Sequence, residues 1–267
     1  MTDVVFTELQ MLRYARHIVL PEVGGVGQAK LLRAKVLVVG AGGLGAPVLL
    51  YLAAAGVGTL GIVDFDTVDL TNLQRQVIHA TARVGRAKTE SAAEAIHALN
   101  PEIATVLHTE RLTAANAIGV IEGYDLVADG SDNFATRYLV NDACFFARKP
   151  LVSAAMMRFE GQLTTFKAHQ PGNNPCYRCL FRAAPPPGLV PSCSEAGIFG
   201  AVAGVMGSLQ AVEVLKEIVG IGESLSGTLV LYDALAATFQ RLRLKRDPSC
   251  ELCGPQATIT DLAAHAA

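Results

Sequence analysis

A glycine-rich segment, Gly40-Ala41-Gly42-Gly43-Leu44-Gly45, offers the first chemistry in the sequence. It follows an apolar run typical of a buried strand and precedes a predicted helix, the setting in which G-x-G-x-x-G binds a nucleotide. Glycines let the backbone approach phosphates, and the helix N-terminus supplies unpaired N–H groups and partial positive charge. Asp64 follows at about the 20-residue spacing at which a carboxylate accepts ribose hydroxyls. We therefore predict that Gly40, Gly42, Gly43 and Asp64 bind a nucleotide; a glycine turn that only packs a helix on a strand is the alternative.

Charged residues beyond this segment favour ATP with Mg²⁺ over a dinucleotide. Arg75 lies in Asn72-Leu73-Gln74-Arg75-Gln76, and Lys88 follows it. A triphosphate carries about four negative charges, against about two for a dinucleotide pyrophosphate, and so gains more from added cations. Asp132, in Ser131-Asp132-Asn133, offers the carboxylate oxygens that Mg²⁺ prefers. A nicotinamide-dependent oxidoreductase is the alternative that the glycine segment alone leaves open.

Four of the six cysteines form two C-x-x-C pairs, which are Cys176 with Cys179 and Cys250 with Cys253. Each pair is half of a tetrahedral Zn²⁺ site, and without an export signal such pairs favour metal or redox chemistry over disulfides. Cys193 precedes a predicted helix whose N-terminus would activate a thiol. It is a candidate nucleophile, with an incidental loop thiol as the alternative, while Cys144 lies on an apolar helix face and is predicted to be core.

Composition excludes several classes of protein. With 51% hydrophobic and 17% charged residues the chain is not disordered, and a formal net charge of −2 gives no reason to expect nucleic acid binding. The N-terminus lacks the features of a signal peptide. The most apolar window, 196–212, contains Gln210 and is flanked by Glu195 and Glu213, as in a buried helix rather than a membrane span. We expect a cytoplasmic protein without a membrane partner.

Strands and helices alternate along the first part of the chain, after two short helices within 6–33. The predicted strands are Lys35–Gly40, Thr59–Asp64, Thr105–His108, Asp125–Asp129 and Pro150–Ala154. The predicted helices between and after them are Gly43–Gly56, Lys88–Leu99, Ala114–Glu122 and Arg137–Ala147. This alternation predicts an α/β fold with a Rossmann-like, doubly wound, mostly parallel sheet.

Beyond residue 158 the pattern changes. Gly161–Lys167 and Gly227–Tyr232 alternate as antiparallel strands do, and a helix is predicted at Ala196–Ile218 between them. We expect these strands to extend the same sheet. The basic run Arg241–Arg246 is interpreted as a solvated strand or rim, and Ala257–Ala267 as a frayed helix. No segment is long enough to be a linker between domains, so one domain is predicted.

In combination, these motifs resemble those of the bacterial MoeB/ThiF/HesA adenylyltransferases, relatives of the ubiquitin-activating enzymes, and most of all the molybdopterin-synthase adenylyltransferases. The resemblance runs from Leu12–His17 to Cys250–Cys253. It rests on R-Y-x-R, G-x-G-G-L-G, D-F-D-x-V, N-L-Q-R-Q, S-D-N, C-Y-R-C-L and the final C-x-x-C. It implies one adenylating domain over 1–267, with N-terminal helices in 6–33, a nucleotide-binding half in 34–156 and a carrier- and zinc-binding half in 157–255.

The implied reaction is ATP-dependent adenylation of the C-terminal glycine of a small ubiquitin-like sulfur-carrier protein that ends in Gly-Gly, with release of pyrophosphate. The pathway implied is molybdopterin biosynthesis, with thiamine biosynthesis or another sulfur-carrier pathway as the alternative. A separate sulfurtransferase is expected to supply the sulfur. Two other possibilities stay open: a dehydratase-like relative that adenylates a small molecule or base, and a non-catalytic nucleotide-binding scaffold.

The resemblance also implies residue roles. Gly43 lies against the phosphates and Asp64 binds ribose, while Asp132 binds Mg²⁺ with Asn133 beside it. The residues implied to contact the phosphates are Asn72, Arg75 and Lys88. Arg16, from an N-terminal helix, reaches the partner subunit's ATP, which implies a homodimer. Catalysis is thereby assigned to Arg16, Arg75, Lys88 and Asp132.

The resemblance implies two further roles for cysteines. The two C-x-x-C pairs together form a structural zinc site with four cysteine ligands. Cys193 lies in a region where some relatives use a cysteine in acyl transfer, whereas relatives in the molybdopterin pathway do not need one.

Overall fold

The computed structural model, which describes residues 5–186 and 196–266, has one eight-stranded sheet. Its strands are β1 Lys35–Val39, β2 Thr59–Val63, β3 Ala104–His108, β4 Leu126–Asp129, β5 Leu151–Met157, β6 Glu160–Phe166, β7 Thr228–Asp233 and β8 Thr238–Arg243. They lie in the order β3-β2-β1-β4-β5-β6-β7-β8. Strands β1 to β5 pair in parallel and the rest are antiparallel. The strand order reverses between β1 and β4, where sheets of this kind bind ligands at their carboxyl ends.

Helices cover both faces of the sheet. They are α1 Glu8–Arg13, α2 Ala15–Ile18, α3 Gly24–Arg33, α4 Gly45–Ala55, α5 Lys88–Leu99, α6 Ala117–Glu122, α7 Phe134–Phe146, α8 Tyr177–Leu180 and α9 Gly200–Val219. Alternate residues of β1 show the layering. Val36 and Val38 join a core with residues of α4 and α9, whereas Leu37 and Val39 join a core with residues of α6 and α7. All four are buried, which is why β1 is a continuous apolar run.

The long helix α9 lies on α4 and β5. Gln210, fully buried on this helix, donates from Nε2 to the carbonyl oxygens of Asp129 (2.9 Å) and Val152 (3.0 Å). It therefore connects the helix to β4 and β5. The apolar window around Gln210 is a buried helix, as predicted. Across the described residues, no helix is both long enough and apolar enough to cross a membrane.

The predicted mostly parallel sheet with an antiparallel extension is confirmed, and α5 has the predicted bounds. Helix α7 begins at Phe134 rather than Arg137, because the Asn133 side chain caps it by accepting a hydrogen bond from Thr136 N at 2.9 Å. Strand β5 extends to Met157 because its antiparallel pairing with β6 continues past the end of β4.

Three predictions about peripheral segments were wrong or incomplete. The N-terminal region forms three helices rather than two, since Tyr14 separates α1 from α2. The tail predicted as a frayed helix contains only a 3-10 turn at Ala263–His265 within the described residues. Strand β8 was recognised only in part, through the basic run at Arg241, because every residue in it is exposed and the hydrophobic pattern is weak.

Candidate functional site

A solvent-open cleft lies at the carboxyl ends of β1, β2 and β4, and the space between its walls, including the part open to solvent, is about 950 Å³. Three chain segments that follow these strands form most of it. Further lining residues come from α5, from the segment after β3, from β5 and from Ile198. The sequence-predicted residues brought together here are Gly40, Gly42, Gly43, Asp64, Arg75, Lys88, Asp132 and Asn133.

The segment Gly40–Gly45, called the phosphate loop from here on, needs glycine at two positions for reasons of backbone geometry. Gly40 has φ of 90°, a left-handed conformation that glycine adopts without strain. At Gly45 a Cβ atom would lie 1.7 Å from the Gly40 carbonyl oxygen. The loop is therefore a tight strand-to-helix turn, and Gly42 and Gly43, both partly buried, line the cleft.

Asp64 follows β2 and holds the phosphate loop. Its Oδ2 accepts a hydrogen bond from Ala41 N and its Oδ1 accepts one from Asp66 N, both at 2.9 Å. Burial raises the pKa of the Asp64 carboxyl, and the nearby Lys88 ammonium opposes that rise. Because each carboxylate oxygen has a second lone pair, Asp64 can hold the loop and still accept ribose hydroxyls.

Lys88, the first residue of α5, is 5% exposed. Its Nζ lies 2.9 Å from Asp66 Oδ2. A buried ammonium at a helix N-terminus opposes the helix dipole and needs an anion nearby, which Asp66 provides in this structure. Arg75, also in the cleft, donates from Nη1 to the Thr71 carbonyl oxygen at 3.2 Å.

Asp132 is an exposed carboxylate on the opposite wall of the cleft, after β4. Asn133 donates from Nδ2 to Asp132 Oδ1 at 3.4 Å while its own Oδ1 caps α7. Arg137 holds the same segment, since its Nε and Nη2 donate to the Ser131 carbonyl oxygen at 3.2 and 2.9 Å. An oriented carboxylate facing a cleft suits Mg²⁺ shared with a ligand phosphate.

Three charged cleft residues, Arg111, Arg137 and Asp66, were not predicted as site residues from the sequence. The Arg111 guanidinium lies 3.9 Å from the centroid of the Phe65 ring, and no motif marks Arg111. The sequence does contain one indication for Arg137. It lies at the start of a predicted helix, where a cation opposes the helix dipole and is unfavourable without an anion nearby. Among the described residues, the charged side chains that line the cleft are Arg75, Lys88, Arg111, Arg137, Asp64, Asp66 and Asp132.

Asn72 and Arg16 do not lie among the described residues that line the cleft. The Asn72 amide donates to Thr71 Oγ1 at 3.1 Å instead. Arg16 is exposed on α2. Cys193 falls outside the described residues. Cys144 is buried in the core, as predicted, and burial raises the pKa of its thiol.

The two C-x-x-C pairs meet in space, with all four Sγ atoms within 4.8 Å of one another. The Sγ distances are 3.8 Å between Cys176 and Cys179, 3.5 Å between Cys176 and Cys250, and 3.4 Å between Cys179 and Cys253. A tetrahedron with Zn–S bonds of about 2.3 Å has S···S edges of about 3.8 Å, so the sulfur positions fit Zn²⁺. Four thiolates leave no open coordination position for a reacting water.

The cysteines of this cluster influence one another and are held by neighbouring groups. The contact between Cys176 and Cys179 lowers the pKa of the Cys179 thiol, to about 7, and raises the pKa of the Cys176 thiol. The Asp247 backbone N–H donates to Cys179 Sγ at 3.4 Å. Arg178, between the first two cysteines, forms an ion pair at 2.7 Å with the fully buried Asp142 of α7. The cluster therefore anchors α8 and the C-terminal segment to the core, away from the cleft.

Comparison with protein families gives a match to the ThiF family over residues 14–252. The chain is 51% identical over 261 residues to "Sulfur carrier protein adenylyltransferase" of Thermus thermophilus, covering 96% of both chains. It is 51% identical to "Adenylyltransferase and sulfurtransferase MOCS3" of Sus scrofa, over 95% of this chain but only 55% of that protein. It is 53% identical to "Probable adenylyltransferase/sulfurtransferase MoeZ" of Mycobacterium tuberculosis, over 90% of this chain and 62% of that protein.

Solved structures of E. coli MccB have the same fold. The structure of MccB with ATP superposes with a TM-score of 0.79 at 25% identity, over 90% of this chain and 74% of that one. The structure with AMPCPP and MccA gives a TM-score of 0.80 at 25% identity, over 93% and 75% of the two chains.

Proposed function

Because the chain belongs to the ThiF family of adenylyltransferases, we propose that it adenylates the C-terminal glycine of a small ubiquitin-like sulfur-carrier protein ending in Gly-Gly. The observation that carries the proposal is the cleft itself. There the phosphate loop, the carboxylate of Asp64 and the cations Arg75 and Lys88 face one volume. A relative that is 51% identical over 96% of its length and is named a sulfur carrier protein adenylyltransferase supports the choice of substrate.

The reaction needs no covalent step on the enzyme. A carboxylate oxygen of the carrier's last glycine attacks the α-phosphorus of ATP in line, and the bond from that phosphorus to the bridging oxygen breaks. Pyrophosphate leaves with the electron pair of that bond, and the acyl-adenylate remains. The attacking carboxylate is already ionised at neutral pH, so no general base is required. Catalysis then consists of positioning and charge neutralisation.

Different residues position the nucleotide and neutralise its charge. Asp64 binds the ribose, and the backbone of Gly42 and Gly43 approaches the phosphates. Lys88 and Arg75 neutralise phosphate charge, with Lys88 exchanging its contact with Asp66 for the nucleotide. Asp132 would hold Mg²⁺, which supplies positive charge to the leaving pyrophosphate when it is bound.

The proposal includes a homodimer with shared sites. Arg16 is exposed on α2 and does not line the cleft of its own chain, so we propose that it serves the partner subunit's ATP. Large apolar side chains next to it in the sequence are also exposed, namely Leu12 at 72% and Val19 at 71%. Such side chains, one on α1 and one directly after α2, support a subunit interface at this face.

For the pathway we propose molybdopterin biosynthesis, with the thiamine pathway as the second candidate. Two relatives carry both adenylyltransferase and sulfurtransferase in their names. We propose that a separate sulfurtransferase performs the sulfur transfer that follows adenylation. The cysteine cluster is proposed to bind structural Zn²⁺, and Cys193 is proposed to be dispensable.

The proposal is tested by ATP–pyrophosphate exchange with purified molybdopterin-type and thiazole-type carriers, each compared with a version that lacks its last two glycines. We expect exchange with the intact molybdopterin-type carrier and none with the truncated one. Preference for the thiazole-type carrier would select the second pathway. Absence of exchange with both intact carriers, from protein that still binds ATP, would refute the proposed substrate.

A further inference from the structure

His79 lies beneath the phosphate loop, and the proposed reaction does not use it. The side chain is buried, with the residue 8% exposed. Its Nε2 lies 2.9 Å from the Ala41 carbonyl oxygen, and its Nδ1 lies 2.9 Å from Ser91 Oγ on α5. One imidazole therefore bridges the phosphate loop and the helix that begins with Lys88.

The partners determine which nitrogen carries the proton. A carbonyl oxygen only accepts hydrogen bonds, so Nε2 must donate to Ala41, and a neutral imidazole then accepts at Nδ1 from the Ser91 hydroxyl. Burial is the main cause that lowers the pKa of His79, and the positive charges of Lys88 and Arg83 lower it further. The neutral Nε2–H form is the one that this environment selects.

The hydrogen bond from His79 to the Ala41 carbonyl fixes the direction of the Gly42 N–H group. In a trans peptide the C=O and the next N–H point in opposite directions, so holding the Ala41 oxygen towards His79 directs the Gly42 N–H away from it. Gly42 lines the cleft. On the other side of Ala41, its N–H donates to Asp64 Oδ2. The two peptides that flank Ala41 are thereby each fixed by one side chain, one of them the proposed ribose ligand.

We propose that His79 is a positioning residue for ATP, which orients the Gly42 N–H towards a phosphate by holding the Ala41 carbonyl. The inference rests on the proposed use of ATP by this site, but not on the identity of the carrier. A residue with only a structural role would change the folding stability, whereas the proposed role predicts a selective change in nucleotide affinity.

The test compares His79→Gln, His79→Asn and His79→Ala. Glutamine places an amide N–H near the position of Nε2 and can keep the bond to Ala41, whereas asparagine reaches only about as far as Nδ1. His97→Gln is the matched control, because His97 is an exposed histidine on the same helix as Ser91. For each protein we would measure ATP binding by calorimetry, the melting temperature, and the separate KM values for ATP and carrier in pyrophosphate exchange.

We expect the Kd for ATP to rise about 5- to 30-fold in the Asn and Ala variants, as loss of one buried hydrogen bond would give. The Gln variant and the His97 control should bind ATP like the wild type. The KM for the carrier should not change. If His79→Ala does not fold, Ser91→Ala provides the second test, since it removes the donor to Nδ1 and should weaken ATP binding while Ala41 and Asp64 are intact.

Wild-type ATP affinity in both the Asn and Ala variants would overturn the inference. Equal losses in the Gln and Ala variants would also overturn it. Calorimetry with ATP needs no carrier, so failure of the proposed function, seen as ATP binding without exchange, is distinguishable from failure of this inference.

Discussion

Replacing Lys88 by methionine should remove most of the nucleotide chemistry at a small cost in stability. Methionine keeps an unbranched apolar chain in the buried position and deletes only the ammonium. The lysine is 5% exposed, and the side chain of its partner Asp66 is 52% exposed. The partner can therefore be hydrated when the ammonium is lost.

The stability cost follows from this asymmetry. At 2.9 Å the two charges attract by about 6 kcal/mol if the effective dielectric constant is about 20. Removing an ammonium from water costs several kcal/mol in the folded protein, which offsets most of that attraction. Asp66 regains contact with water when the ammonium is lost, so its unpaired charge adds little to the loss of stability. We expect the free energy of unfolding to fall by no more than about 1–2 kcal/mol.

The functional cost is larger. A hydrogen bond from a charged donor contributes about 1.5–3 kcal/mol, so losing the contact with a phosphate should weaken ATP binding about 10- to 150-fold. If the contact strengthens as charge develops on the leaving pyrophosphate, kcat falls as well.

The assay is carrier-dependent ATP–pyrophosphate exchange, paired with urea unfolding. Lys35→Met is the matched control, because Lys35 is exposed at the start of β1, at the opposite end of the strand from the phosphate loop. The control should retain wild-type exchange. Wild-type exchange by Lys88→Met would refute the role of Lys88, and a loss of exchange that only accompanies unfolding would refute the argument from burial.

Three more predictions concern stability. Gly45→Ala places a Cβ 1.7 Å from the Gly40 oxygen, so it should lower the free energy of unfolding by more than about 2 kcal/mol and abolish ATP binding in calorimetry. Gly119→Ala is the control, because the space around its Cβ is open and the substitution should be tolerated. Removing metal with a strong chelator should lower the melting temperature by disrupting the cysteine cluster, and an unchanged melting temperature would contradict the zinc proposal. Burial lowers the pKa of His79, His108 and His169. These histidines therefore bind more protons in the unfolded chain than in the folded one as pH falls below about 6.5. Their contribution makes the free energy of unfolding lower at about pH 5.5 than at about pH 7.5 in urea titrations, whereas Asp64 and Asp129, whose pKa values burial raises, contribute in the opposite direction.

Much of the sheet was predictable because local pattern and tertiary position agree there. Buried parallel strands such as β1 and β4 are mainly apolar on both faces and end where the chain reaches the cleft. Strand β8 was recognised only in part, since an edge strand with every residue exposed has no apolar side to mark it. The sequence pattern predicts two N-terminal helices where the structure has three, because a single residue, Tyr14, separates α1 from α2.

The candidate site was also predictable only in part, namely where its residues directly follow strands. Asp64 and Asp132 follow strands, so the sheet topology alone brings them to one edge. Arg111 and His79 reach the cleft region through irregular segments whose paths depend on tertiary packing, and no spacing rule predicts them. The cysteine pairs lie far apart in the sequence, so their spacing alone does not decide whether they form one metal site. The fold brings the four sulfur atoms within 4.8 Å of one another.

The phosphate loop shows why a glycine motif is weak support for a particular ligand. Gly40 is required by its left-handed backbone and Gly45 by contact with the Gly40 oxygen, and both reasons hold without any nucleotide. The case for ATP comes instead from side chains that the packing does not require. Lys88 is paired with Asp66, but Arg75, Arg111 and Arg137 also line the cleft, and four cations against the three carboxylates Asp64, Asp66 and Asp132 favour an anionic ligand. The specificity of the site therefore lies in the charged residues around the loop rather than in its glycines.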